Sequence, residues 1–394
     1  MKDRLSLWNR EFLSLNLFIL LVFFNLSFFV LLPIYLKEIG GSSTVIGVIM
    51  GLYALANFVT KPMMGGLMHR FGYKSIIVTG ALIVMAASIL YGVVEEIGPL
   101  IFAVRIIHGF GVSLAIIASL AILGRMVAPE QLGQGYNMAA LCMVLPMSFA
   151  PMLGEWVLRS WGFPAFWPLP QVAMALAMVS LVLAWPAIPG RRAPSGVRGA
   201  RWLDSEVFRD RVMMVAVAVT FLAFVGQGSM NNLIALYTED KGLNSGYYFG
   251  SCALAIVFLR MFLGRYFDRD LQRPIIAWAL LVWVAGCCTL PLVNSNLALG
   301  AAGLVIGAGF FPIYPVIMSI VIKRSTPEHS DNNLSLFNAA TDLGFLVGPA
   351  LFGLVIKSLG YLWFFIGAAV IVLIARLVWG AVGEVSRRQS LRDE

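Results

Sequence analysis

The chain has 394 residues, of which 60% are hydrophobic and only 12% charged, and it carries a formal net charge of +8. A soluble domain holds about twice that charged fraction, and the apolar residues come in uncharged blocks such as NLFILLVFFNLSFFVLLPIYL at 16–36. A water-soluble fold is therefore excluded. About 20 apolar residues cross a bilayer as a helix. Barrel strands of about 10 alternating residues do not match these blocks, so the expected class is an all-α membrane protein. Its basic balance suits cytoplasmic loops rather than a nucleic-acid partner.

In chain order, the first span is expected at 13–36 with Asn25 inside it. This block is too long for a signal peptide and lacks a small-residue cleavage site, so it reads as an uncleaved first crossing. The next spans are 44–68, with Asn57, and 75–94. Between them lies a short basic loop, GGLMHRFGYKS (65–75), carrying Gly65, His69, Arg70, Gly72 and Lys74. Then come 98–125, with Arg105 and His108, 134–158, with Glu155, and 165–188. The stretch 189–210, rich in Pro, Gly and Arg, reads as a cytoplasmic linker between a first bundle (1–188) and a second (211–394).

The second set of spans is 212–237, with Gln227 and Asn231, 244–264, 274–293, 297–322, with Tyr314, 333–356, with Asn338 and Asp342, and 361–383. A loop like the first, GRYFDRDLQRP, begins at Gly264 and carries Asp268 and Arg269. Proline is expected to interrupt spans at Pro146, Pro151, Pro312, Pro315 and Pro349. The four cysteines all sit in apolar runs and read as small core residues. Of the 28 Lys and Arg residues, about 20 fall on the side that holds both termini and the linker. That side is expected to be cytoplasmic.

The two sets repeat one another. Gly65 aligns with Gly264 and Arg70 with Arg269; IYLKEIG (34–40) aligns with LYTEDKG (236–242), and RSWGF (159–163) with KSLGY (357–361). Two six-helix halves of the same hand make a parallel repeat about an axis normal to the membrane. With twelve spans, a central linker and this duplication, the chain resembles the major facilitator superfamily over essentially its whole length. The first basic loop resembles the family's G-x-L-a-D-R-x-G-R-K signature through Gly65, Leu67, Arg70, Gly72 and Lys74. RIIHGFG (105–111) resembles R-x-x-q-G-x-G, and APMLGE (150–155) partly matches the G-P-x-x-G-G of the antiporter branch. His69 departs from the pattern, which has Asp there.

The resemblance implies a secondary transporter working by alternating access, with helices 1, 4, 7 and 10 around a central path. The basic loops would then act as a latch: Gly65, His69, Arg70, Gly72 and Lys74 in one half, Gly264, Asp268 and Arg269 in the other. The partial antiporter pattern implies proton-coupled export of a drug-like compound or secreted metabolite, a metal chelator among the candidates. Uptake of a small organic anion anchored on Arg105 is the alternative. Charges inside the bilayer cost at least ~2.5–3.5 kcal/mol and mark functional sites. Asp342, Glu155 and His108 are the candidate proton carriers. Arg105, Asn25, Asn57, Gln227, Asn231, Tyr314 and Asn338 are candidate substrate contacts. Asn338 and Asp342, four apart, share a helix face. No Walker loop or metal-ligand spacing appears, so no cofactor is expected. The expected partners are a small-molecule substrate, protons and the lipid bilayer. The expected setting is a bacterial inner membrane, with the chain a monomer. A membrane enzyme is disfavoured, because its acids, His or nucleophiles would cluster at one membrane face and here they are scattered; a sensor is disfavoured because it usually adds a soluble domain.

Overall fold

The computed structural model describes residues 9–188, 205–263, 272–326 and 328–393. Among them there is helix and no strand. The helices are α1 (Arg10–Phe28), α2 (Leu32–Glu38), α3 (Ser43–Thr60), α4 (Met64–Tyr91), α5 (Pro99–Met126), α6 (Leu132–Trp161), α7 (Phe163–Phe166) and α8 (Pro168–Ala184). After the linker come α9 (Arg211–Asp240), α10 (Ser245–Leu263), α11 (Gln272–Thr289), α12 (Asn296–Phe310), α13 (Ile313–Arg324), α14 (Ser330–Leu359) and α15 (Tyr361–Asp393).

Ten helical segments among the described residues are long and apolar enough to span a bilayer. One of them, Ser43–Tyr91, runs for 49 residues. At 1.5 Å per residue it would measure about 74 Å as one rod, against a hydrocarbon core of about 30 Å. It breaks at Gly72, whose φ of 80° and ψ of 160° are not helical. The stretch 65–75, expected as a loop, is thus helical up to Phe71 and again from Tyr73. A residue without Cβ adopts positive φ freely, so one glycine does the work of a loop. With that division, and with α10 as an apolar helix of 19 residues, the architecture is consistent with twelve crossings.

Proline acts more selectively than expected. Pro312 lies between α12 and α13 and divides that span, with Pro315 in the first turn of α13. Pro146 and Pro151 stay inside α6, and Pro349 inside α14. Neighbouring helices and local adjustment satisfy the freed carbonyls in such cases. An unexpected break lies in the first span, where a 3₁₀ turn at Phe29–Leu31 precedes Pro33; the proline ring clashes with the carbonyl four residues back.

By packing, the chain divides into two compact units: Met1–Gly41 with Leu55–Gly199, and Ser42–Ala54 with Ala200–Glu394. In the first unit α1 packs on α6 and α8, and α4 on α5 and α8. In the second, α9 packs on α14 and α15, and α11 on α12 and α15. The same pairings thus recur in each unit. Positive-φ glycines recur too: Gly40 with Gly242, and Gly162 with Gly360. The Tyr35 hydroxyl donates to the Val94 carbonyl, and that of Tyr237 to the Leu290 carbonyl at 2.8 Å. The start of α3 lies in the second unit, close against the backbone of α14.

At one end of the second unit, the stretch after the linker is clasped to the turn between α13 and α14. Asp210 caps α9 through the Val212 and Met213 amides and accepts from Arg324 at 2.7 Å. Glu206 accepts from the Thr326 amide at 3.1 Å and hydroxyl at 2.9 Å, and from Asn333 Nδ2 at 3.0 Å. His329 Nδ1 stands 3.6 Å from the same carboxylate. These donors, led by the Thr326 amide, hold the Glu206 carboxyl below its usual 4.5. A lowered folded pKa adds stability above the ordinary value, lost as pH falls through the folded one. Glu206→Gln is therefore expected to lower the thermal midpoint at pH 7, with the gap to wild type closing as pH drops below about 4.5.

Candidate functional site

The first unit holds a buried polar cluster drawn from four spans. Asn25 on α1 donates through Nδ2 to Ser88 Oγ on α4 at 2.7 Å, and to the Pro170 carbonyl on α8 at 2.9 Å. Its Oδ1 lies 3.2 Å from His108 Nε2 on α5. The other ring nitrogen, Nδ1, lies 3.4 Å from the Tyr91 hydroxyl, and the Arg105 guanidinium is within electrostatic reach of that hydroxyl. Phe29, in the 3₁₀ turn, packs edge-on against the His108 ring at 4.7 Å. Asn25 and His108 are fully buried and Arg105 is 3% exposed. Three residues expected from the sequence are thus brought together. Two more, Tyr91 and Ser88, went unread, because each is an ordinary polar residue within an apolar run.

The second unit builds two clusters. Gln227 on α9 donates to Asn231 Oδ1 at 2.9 Å and accepts from Trp283 Nε1 on α11 at 2.9 Å. Tyr314 on α13 donates to Asn338 Oδ1 on α14 at 3.0 Å. Asp342, one turn further along α14, is 7% exposed and lies within electrostatic reach of the Tyr314 hydroxyl. Phe224, Phe337 and Phe345 form the apolar wall here: Phe224 and Phe337 pack on the Tyr314 ring, and Phe345 packs on Phe224. Trp283 was not anticipated; an indole in an apolar run gives no sign that its N–H has a partner.

The remaining candidates stand apart from these clusters. Glu155 is buried on α6 and accepts from Arg159 Nε at 3.0 Å and Nη2 at 2.8 Å. The i,i+4 spacing that allows this pair is visible in the sequence only once the span expected at 134–158 is continued to Trp161, as the helix is. Asn57 is half-buried on α3. In the first basic stretch Gly65 lies within the helix, while His69 and Arg70 are exposed. Lys74 sits 4.6 Å over the Trp185 ring, and Arg125 sits 4.9 Å over Tyr73. These cations are held by aromatic faces of their own unit. Gly264, Asp268 and Arg269 lie outside the described residues.

Two helical units of one repeated plan, each with polar and ionisable groups sunk among apolar walls, are the makings of a membrane transport protein. The sequence matches the Major Facilitator Superfamily over residues 13–330 and 252–393. The chain belongs to that superfamily and is a multi-pass membrane transporter of small molecules. Its relatives include the Staphylopine export protein of Staphylococcus aureus, 24% identical, with 92% of this chain and 94% of that protein aligned. The Quinolone resistance protein NorA of Staphylococcus aureus is 22% identical, with 88% of this chain and 89% of that protein aligned. Among solved structures, the peptide transporter POT bound to alafosfalin superposes with a TM-score of 0.81 at 13% identity, covering 97% of this chain and 96% of that one. The human organic anion transporter MFSD10 gives 0.69 at 18% identity, covering 94% and 99%.

Proposed function

We propose that the chain is a secondary transporter that exports a small amphiphilic compound, drug-like or a metabolite, in exchange for protons. It acts as a monomer in a bacterial cytoplasmic membrane, with both termini in the cytoplasm. The observation that carries this reading is the Asp342 carboxyl, buried one turn from the Tyr314–Asn338 pair and behind an aromatic wall. An ionisable group held in the membrane is costly and is a functional site by default. A carboxyl there can take a proton from one side and release it on the other as its surroundings change between conformations. Glu155 suits the role less, because Arg159 pairs with it on the same helix. The first-unit basic stretch, from Gly65 to Lys74, serves as half of a latch in this scheme. Export as the direction is supported by the partial APMLGE pattern and by the names of two relatives, an export protein and a resistance protein.

The second reading, uptake of a small organic anion, is favoured by the burial of Arg105. The deciding experiment follows accumulation of a panel that includes quinolones and ethidium in efflux-deficient bacteria, with and without a protonophore. Wild type is expected to lower accumulation of at least one compound, and both the protonophore and Asp342→Asn to abolish that effect. Raised accumulation that Arg105→Ala removes would establish uptake instead. Export that continues under protonophore would end the proton-coupled reading.

A further inference from the structure

The polar cluster of the first unit has a direction that can be followed proton by proton. The Arg105 guanidinium, a donor only, lies within electrostatic reach of the Tyr91 oxygen, and a cation on that side turns the hydroxyl proton away from it. The Tyr91 proton is then left for the His108 Nδ1, 3.4 Å away. At the other side of the ring, Asn25 has both amide hydrogens engaged, on Ser88 Oγ at 2.7 Å and on the Pro170 carbonyl at 2.9 Å. Ser88 in turn gives its own proton to the Val84 carbonyl at 2.8 Å. That fixes the Asn25 amide with its oxygen toward His108 Nε2, 3.2 Å away. An amide oxygen only accepts, so the ring proton belongs on Nε2. Every link from Val84 to Tyr91 then has one donor and one acceptor, and the imidazole carries a single proton.

We infer that Tyr91 is a positioning residue: its hydroxyl donates to Nδ1 of a singly protonated His108 whose Nε2–H is held by Asn25, so that one chain of hydrogen bonds fixes the ring beside the Arg105 guanidinium. The argument has a consequence for transport. In the cluster, His108 is an orienting link between α1, α4 and α5, and the group oriented toward cargo or proton is Arg105. This consequence rests on the transport reading above; the tautomer and the role of Tyr91 do not. A chain with its members satisfied at each step rigidifies the core it crosses. Tyr91 is further held by the Phe29 ring at 4.5 Å and by Trp167 stacked at 6.3 Å, so its hydroxyl has a fixed address.

The test uses the full chain, labelled with ¹⁵N-histidine and purified in detergent without cargo or gradient. The sequence has only three histidines, and His69→Gln with His329→Gln leaves the His108 pair alone. The two ring nitrogens report the tautomer directly. The expected result is a protonated Nε2 and a bare, hydrogen-bonded Nδ1. Tyr91→Phe should shift the Nδ1 resonance toward that of an unbonded nitrogen and leave Nε2 protonated. Ser88→Ala, on the far side of Asn25, should leave Nδ1 unmoved. A proton on Nδ1 in the otherwise native chain, or a doubly protonated ring, would overturn the inference, and needs no variant at position 91 to be seen. An Nδ1 resonance indifferent to Tyr91→Phe would overturn it as well. Because neither cargo nor a proton gradient enters the measurement, its outcome is separable from that of the export experiment.

Discussion

Gly47→Val is expected to force the start of α3 away from α14 and to lower the thermal midpoint sharply. A Cβ at Gly47 would lie 2.0 Å from the Pro349 carbonyl oxygen, where ordinary contact begins at 3.4 Å. The opposing atoms are backbone, so no side chain can swing aside. The approach is close on both sides, since a Cβ at Gly353 would lie 2.3 Å from the Ser43 carbonyl oxygen. Small residues let helix backbones meet closely in membranes, where packing rather than water drives association. Overpacking costs about 1–3 kcal/mol in an ordinary core, and a site walled by backbone belongs at or above the top of that range. Gly66→Val is the control: it also adds a β-branched side chain to a helix, but a Cβ there meets nothing within 4 Å. Equal midpoints for the two variants, read by thermal unfolding in detergent, would show that the close approach contributes nothing.

Asn25→Leu is expected to destabilise the protein by about 2–4 kcal/mol, more than Gln227→Leu. Hydrogen bonds between membrane helices average only ~0.6 kcal/mol, but a buried group left without its partner costs about 1–3 kcal/mol. Removing the Asn25 amide strands the His108 Nε2–H and uncovers the Pro170 carbonyl, and it takes a donor from Ser88. Removing the Gln227 amide strands the Trp283 indole N–H and frees Asn231, which is only half-buried. Unfolding titrations of both variants against wild type would rank them. The reverse order would mean that the Trp283 bond, not the Asn25 cluster, is the stronger tie between spans.

The two positions also explain what could be read beforehand. Asn25 and Gln227 sit at the same offset as Tyr35 and Tyr237, and each amide ties the first span of its half to the third. Both were visible as polar residues in apolar runs. Their partners were not, because Ser88 is 63 residues from Asn25 and Trp283 is 56 from Gln227. A side chain's chemistry is written locally, but the distance to its partner is set by how helices pack. The bond of Glu206 to Asn333 is hidden for the same reason, its ends being 127 residues apart. Glu155 with Arg159 is a different kind of omission, since an i,i+4 pair is local and legible once the helix is taken far enough.

By itself, then, the sequence determined that this is a helical membrane protein, that it is written twice, and which superfamily it belongs to. Those features follow from residue type and spacing: lipid demands long apolar helices, and a duplicated plan leaves matched glycines and tyrosines at a near-constant offset. The tertiary structure decided that the basic stretch turns on Gly72 alone, that three of the five prolines leave their helices whole, and that the start of α3 packs with the second unit. It also decided which buried polar groups meet. His108 meets Tyr91 and Asn25 from two other helices, and Asp342 lies within electrostatic reach of Tyr314. Such meetings depend on the relative rotation and depth of separate helices, which close packing of whole surfaces fixes and no single stretch of sequence encodes.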